Sequence, residues 1–201
     1  MNISKLFQKK EKEIPEERRS GEDRRETDVP APEGKRENNE RREVLQGYNK
    51  IIETYSKIPL LKGLTNEQLL KMLRICSKIK TPGTHYLFHR GEESKAMYIL
   101  LKGRLNIMLE GGEIWKSVSP FGCVGDMGFF TGTKRSADVI TDTECILLQL
   151  NKGEIFKLFT NDKELHIKIL ENIVNELTYR LLTDRDEIEH LHYRIRASDT
   201  I

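Results

Sequence analysis

The sequence predicts a mainly β domain, a small sandwich or β-roll, framed by helices and followed by one long helix. Three observations carry this. Residues 84–150 read as short strands broken by glycines every ~8–12 residues, a spacing that suits a sandwich or roll better than a parallel α/β sheet. Apolar residues on both sides of this stretch recur at helical spacing. The 201 residues are only 37% hydrophobic and 33% charged, against ~45–50% and ~25% in an ordinary globular chain, so part of the chain lies outside a packed core.

That part is the beginning. Residues 8–43 hold almost no large apolar side chains, and Pro15, Pro30 and Pro32 stand among dense charges. Such a segment cannot offset its ordering entropy by burial, and residues 1–46 are predicted to be a disordered charged extension. Three arginine-pair tetrads recur in it, at 17–20, 23–26 and 40–43. They read first as a self-compensated polyampholyte and, alternatively, as a docking tract for an anionic partner. Ile3, Leu6 and Phe7 make at most one apolar helical turn, enough for a weak surface contact.

Order is predicted from residue 47. Tyr48, Ile51, Ile52 and Tyr55 follow i, i+3, i+4, i+7 spacing, and Pro59 ends the run. Thr65 with Gln68 forms a capping box ahead of Leu69, Leu70, Met72 and Leu73. After Pro82-Gly83 the chain becomes extended. Strands are expected at 97–101, at 105–109 ending in the Gly111-Gly112 hairpin turn, at 114–118, at 137–141 and at 144–150.

The last segment, 161–196, carries a heptad seam. Asn161 with Glu164 is the expected capping box, and Ile167, Leu170, Val174, Leu177, Leu181, Asp184, Ile188, Leu191 and Ile195 alternate gaps of three and four. With Ile167 at a, β-branched residues dominate a and leucine dominates d, which favours a parallel two-stranded coiled coil and therefore a homodimer. Arg180 would then face Arg185 of the other chain, and Asp184 either draws those arginines inward or marks where the helices part. The alternative is that the helix packs on its own domain.

Between the strands, residues 121–139 carry the chemistry. Gly125 and Gly128 allow close backbone approach at the start of a short apolar helix. Arg135 adds a permanent cation of fork geometry and Ser136 a hydroxyl. Together these suit a phosphate. Asp126 at the same helix start needs another task, such as accepting a hydrogen bond from a sugar hydroxyl.

Gly125-Asp126-Met127-Gly128-Phe129-Phe130 followed by Arg135-Ser136-Ala137 resembles the phosphate-binding cassette of cyclic nucleotide-binding domains, as in the catabolite activator protein family and in kinase and channel regulatory domains. Residues 58–65 and 91–104 are similar to that family's lead-in segment and first glycine-turned strands, so the resemblance spans about 48–195. It implies a double-stranded β-helix, or jelly-roll β-roll, over 47–160 with its N-terminal helices, followed by a dimerisation helix. It also implies that Arg135 pairs with a cyclic phosphate and that Asp126 holds the ribose 2′-hydroxyl. The backbone of Gly125, Met127 and Gly128, with Ser136 and Ala137, would complete the cradle. Two departures stand out: Asp126 replaces the usual Glu, and Phe121-Gly122 replaces Gly-Asp. Losing one hydrogen bond would cost about 1–2 kcal/mol, or roughly tenfold in affinity.

Trp115, the single tryptophan, either stacks on the base or occupies an ordinary packed or half-exposed strand position. Cys76, Cys123 and Cys145 read as buried cytosolic thiols. His85 and His89 lack a third ligand nearby, His190 and His192 cannot share a helix face, and no metal site is expected. No nucleophile–base pair or P-loop occurs, so no enzyme and no catalytic residue is expected. No apolar run reaches the ~20 residues of a membrane span and no signal peptide is seen, which points to the cytoplasm. A net charge of +2 argues against bulk nucleic-acid binding. The chain ends about six residues beyond the seam, so a helix-turn-helix, and DNA binding by that route, is not expected. The reading is a cyclic nucleotide sensor, cyclic AMP before cyclic GMP, with no other cofactor, that passes a helix rearrangement to an unknown downstream protein. A ligand-free dimeric scaffold is the alternative.

Overall fold

A computed structural model describes residues 34–198. Chain contacts divide it into two units, Met1–Arg42 and Glu43–Ile201, and the second holds the β structure. The arginine-pair tetrads at 17–20 and 23–26 and the apolar start at Ile3 lie outside the described residues. The helical elements before the sheet are α1 (Gly34–Tyr55), a 3-10 turn at Pro59–Leu61 and α2 (Asn66–Ile75). Helix α1 begins at Gly34, earlier than the charged extension read as 1–46 allows. Between Pro32 and Pro59 the sequence is free of proline and rich in Glu, Arg and Lys, all good helix formers, so local propensity carries the helix outward.

Thr65 accepts from the Gln68 amide, and the Gln68 side chain accepts from the Thr65 amide, so the expected capping box starts α2. Eight strands follow: β1 (Cys76–Thr81), β2 (Tyr86–Phe88), β3 (Ala96–Lys102), β4 (Leu105–Met108), β5 (Ile114–Val118), β6 (Cys123–Val124), β7 (Asp138–Thr141) and β8 (Cys145–Asn151). They form two antiparallel four-stranded sheets, ordered β1-β8-β3-β6 and β2-β7-β4-β5. This is the jelly-roll β-roll with flanking helices. Helix α3 (Asp126–Thr131) interrupts the strands, and α4 (Lys152–Asn161) and α5 (Lys163–Ser198) close the chain.

Strand β3 shows how the layers are built. Met97 and Ile99 face a helix-side core with Leu69, Met72, Phe129, Ile155, Phe159 and Leu165, while Leu100 joins Leu105, Val124, Val139 and Leu147 between the sheets. Both faces of the strand are buried, which is why its sequence is a continuous apolar run and does not alternate.

Helix α5 has 36 residues, about 54 Å at 1.5 Å per residue. Its start differs from the expected capping box. Asp162, one residue beyond Asn161, accepts from the Leu165 amide at 3.0 Å and also pairs with Lys71, whereas Asn161 is the last residue of α4. Leu165, Ile169, Asn172 and Ile173 bury one face of α5 against the domain, and Asn172 Nδ2 donates to the Leu60 and Lys62 carbonyls at 2.9 and 2.8 Å. Among the described residues, no helix is long and apolar enough to cross a membrane.

Candidate functional site

The cassette begins where β6 ends. Gly125 has φ +76°, and a Cβ there would lie 2.2 Å from Arg135 Nη1, so both conformation and space require glycine. At Gly128 a Cβ would meet the Thr133 carbonyl at 2.5 Å and Ser94 at 2.9 Å. These two glycines let α3 lie directly against the Ser94 loop and bring the chain round to Arg135.

Arg135 is buried. Its Nη1 donates to Ser94 Oγ at 2.7 Å and to the Gly125 carbonyl at 2.9 Å, its Nη2 donates to the Ala96 carbonyl, and the guanidinium lies 3.9 Å from the Phe88 ring centroid. Nε is buried without a hydrogen-bond partner, and among the described residues no carboxylate stands within ion-pair distance of this cation. Burial lowers its pKa from the usual arginine value, with Tyr98, Glu92 and Asp126 opposing from further off. A buried donor left unmade costs about 1–3 kcal/mol, and a buried charge without a counter-charge costs more. The arrangement is chemically incomplete, and an anion would complete it.

Asp126 turns the other way. Its carboxylate is buried, and Oδ2 lies 3.0 Å from Nη1 of Arg180 on α5. Arg180 also contacts Glu176 at 3.3 Å and donates to the Cys123 carbonyl at 3.3 Å. Burial by itself would lower the Arg180 pKa, but Asp126 and Glu176 outweigh it and hold the group above the ordinary arginine range. Sequence reasoning placed Arg180 opposite Arg185 of a second chain; here it closes on its own domain. The Asp184 carboxylate meets Lys116 of β5 at 2.9 Å.

Residues 79–162 match the family model described as the cyclic nucleotide-binding domain. That segment belongs to the cyclic nucleotide-binding domain family. The cAMP-activated global transcriptional regulator CRP of Salmonella typhimurium is 26% identical over 137 residues, covering 66% of this chain and 63% of that protein. An NTE family protein of Mycobacterium tuberculosis is 29% identical over 82 residues, 41% of this chain and only 14% of its own length. The chain therefore spans less than two thirds of these curated relatives. In fold it is similar to a cyclic nucleotide-binding domain from Methylobacillus flagellatus, with a TM-score of 0.63 at 22% identity over 71% of this chain and 83% of that one. The Thermus thermophilus catabolite activator protein gives 0.56 at 22% identity, over 66% and 62%.

Within this cyclic nucleotide-binding domain the remaining candidate residues spread around the cassette. Met127 and Ser136 are exposed and Ala137 is half-buried. Trp115 stands on β5, 54% exposed. Phe121, where the family favours glycine, holds φ +75°, and paired bonds from its amide to the Leu100 carbonyl and from the Leu100 amide to Gly122 fix the turn. Leu170, Val174, Leu177, Leu181, Ile188 and Leu191 are all exposed, on a face of α5 other than the one packed on the domain.

Sequence reasoning missed the Arg135 partners Ser94, Ala96 and Phe88. Loop backbone bonds bring them to Arg135, its amide donating to the Glu92 carbonyl and its carbonyl accepting from the Gly91 amide, and no local motif marks them. The three cysteines are free thiols. Cys123 and Cys145 are buried, and burial pushes the half-buried Cys76 thiol up to about 12.

Proposed function

We propose that the chain is a non-catalytic cyclic nucleotide sensor acting in the cytoplasm. The observation that carries this is Arg135, a buried guanidinium with an unpartnered Nε and, among the described residues, no carboxylate in contact. A cyclic phosphate supplies the missing charge and acceptors in one group, and charge-assisted bonds to arginine are about twice as strong as neutral ones. The Gly125–Gly128 backbone and Ser136 complete the cradle, Met127 and Ala137 frame it, and Asp126 offers a carboxylate oxygen to the ribose 2′-hydroxyl. Cyclic AMP is the first candidate, because a relative over two thirds of this chain is described as cAMP-activated.

Asp126 gives the sensor its output. The carboxylate that would take the ribose is the one that holds Arg180 of α5. Nucleotide binding therefore competes with, or re-aims, a contact that docks the long helix, and differential contacts of this kind are what a ligand needs to shift a helix. The seam from Leu170 to Leu191 pairs two copies, so the shift reaches both, and a separate downstream protein reads it.

The second reading is a ligand-free dimeric scaffold, favoured by Asp126 being already engaged by Arg180. Titration calorimetry with cyclic AMP and cyclic GMP separates the two. Micromolar binding by the wild type, weakened at least tenfold in Arg135→Lys, supports the sensor. No heat from either nucleotide in a folded protein leaves the scaffold.

A further inference from the structure

Behind the loop that leads into Arg135 lies a cavity of about 500 Å³, bounded by Lys95, Lys134 and Lys152 with Glu93, Thr133 and Gly153. This volume is within the ~300–1,000 Å³ of small-molecule sites. The three lysines come from three separate places: the loop between β2 and β3, the loop after α3, and the first residue of α4. Glu93 pairs with Lys95 at 3.0 Å, and the Lys95 ammonium holds the Glu93 carboxyl below the usual range. Among the described residues, no carboxylate is within ion-pair distance of Lys134 or Lys152. Three cations therefore meet one anion around a single hollow, although the whole chain is nearly neutral at +2.

The rest of the wall is small and uncharged. Asn151, which precedes α4, makes no side-chain cap to that helix, and at Gly153 an added Cβ would meet nothing within 4 Å. At the mouth the Lys152 amide donates to the Lys95 carbonyl at 2.9 Å, which ties two of the lysine-bearing segments together, and Thr133, its hydroxyl paired with Thr131, lines the hollow. Lysine is a compact point charge that suits phosphate oxygens without requiring the planar match of a carboxylate. Two ammonium groups beyond ion-pair distance of any carboxylate among the described residues, one on a loop and one at a helix start, favour an anion with two charged centres over a single carboxylate.

We propose that this lysine-lined cavity binds a small molecule carrying two or more phosphate groups, at a site separate from the Arg135 cradle. The cavity borders the cradle at Ser94, which lines the hollow and accepts from Arg135, and at Thr133, whose carbonyl lies close to Gly128. The proposal does not depend on the sensor reading.

The test is calorimetric titration of the full chain with inorganic pyrophosphate at fixed 0.15 M ionic strength, where surface charges beyond about 8 Å are screened. The wild type is compared with Lys134→Gln/Lys152→Gln. It is also compared with Lys50→Gln/Lys78→Gln, which removes the same charge elsewhere, and with Arg135→Lys. Expected is saturable binding with one site per chain, weakened at least tenfold in the first variant alone. Absence of saturable binding, equal loss in both double-lysine variants, or loss only in Arg135→Lys would each overturn it. The last outcome would mean that pyrophosphate had entered the nucleotide cradle. The lysines are surface residues of loops and a helix start, so these variants are expected to fold.

Discussion

Arg180 of the long C-terminal helix reaches Asp126 at the head of the cassette helix, Nη1 to Oδ2, across 3.0 Å. Asp126 is the more deeply buried partner, with its side chain 8% exposed against 28% for Arg180. A carboxylate in that position depends on its cation, since removing one partner of a buried pair strands the other. The same two residues belong to the nucleotide cassette and to the helix that follows it, so this one contact links the cassette to α5.

The pair is best tested by a double-mutant cycle. Arg180→Met is expected to lower stability in urea by roughly 1–3 kcal/mol, less than for a fully buried pair because Arg180 reaches solvent. Asp126→Asn/Arg180→Met should be less destabilised than the sum of the single changes by at least about 0.5 kcal/mol. Strict additivity would show that the contact carries no coupling.

Gly125→Ala is expected to be more harmful than an ordinary glycine substitution. The left-handed conformation alone costs roughly 1–2 kcal/mol for a residue with a Cβ. The new methyl also falls onto Arg135 Nη1, at 2.2 Å before relaxation. Equilibrium unfolding should show a loss of at least about 2 kcal/mol. Nucleotide affinity should fall with it, because Arg135 must move to make room. Unchanged affinity would separate Gly125 from the cradle.

Val174→Asp/Leu181→Asp tests the seam. Both side chains are exposed on the domain they belong to, 62% and 70%, so the fold should survive. Sedimentation equilibrium should give a dimer for the wild type and a monomer for the variant. Two proteins of the same mass would remove the seam as an interface.

Asp162 makes stability depend on pH at the acid end. The Leu165 amide, and then Lys71, holds its carboxyl below the ordinary aspartate value. A depressed folded pKa adds stability that is present above the unfolded value, about 3.9, and is lost as pH falls through the lower folded value. Asp162→Ala should therefore cost about 1 kcal/mol at pH 7, as for loss of a helix cap. The gap between the two proteins should narrow below about pH 4, measured by urea unfolding at each pH. A constant gap would assign the effect to packing.

How much was legible before the structure depended on the range of the interaction. The Thr65–Gln68 box, the Gly111-Gly112 turn and the chemistry of Arg135 are local and could be read directly. Strand β1 could not, because Ser77, Lys78 and Lys80 make it look polar. It is a strand because six of its residues pair with β8, some seventy positions later. Helix α4 was hidden in the same way, between a strand and a stronger heptad signal. Asn161 and Asp162 were equivalent caps by residue type, and the backbone chose the second. The Arg180–Asp126 pair joins residues that only the folded roll brings together, and the heptad pattern pointed Arg180 toward another chain.

Cys123 sits at the base of this contact. Its carbonyl accepts from Arg180, and its thiol is buried, with a pKa that burial drives far above the ordinary range. A thiol in that state hardly reacts, because the thiolate is the nucleophile. Alkylation of Cys123 is therefore expected to wait on openings of the structure that admit water to the thiol. The chain thus carries its own chemical clock for local opening around Cys123, readable by mass spectrometry peptide by peptide, with the fully buried Cys145 as an internal reference for global unfolding.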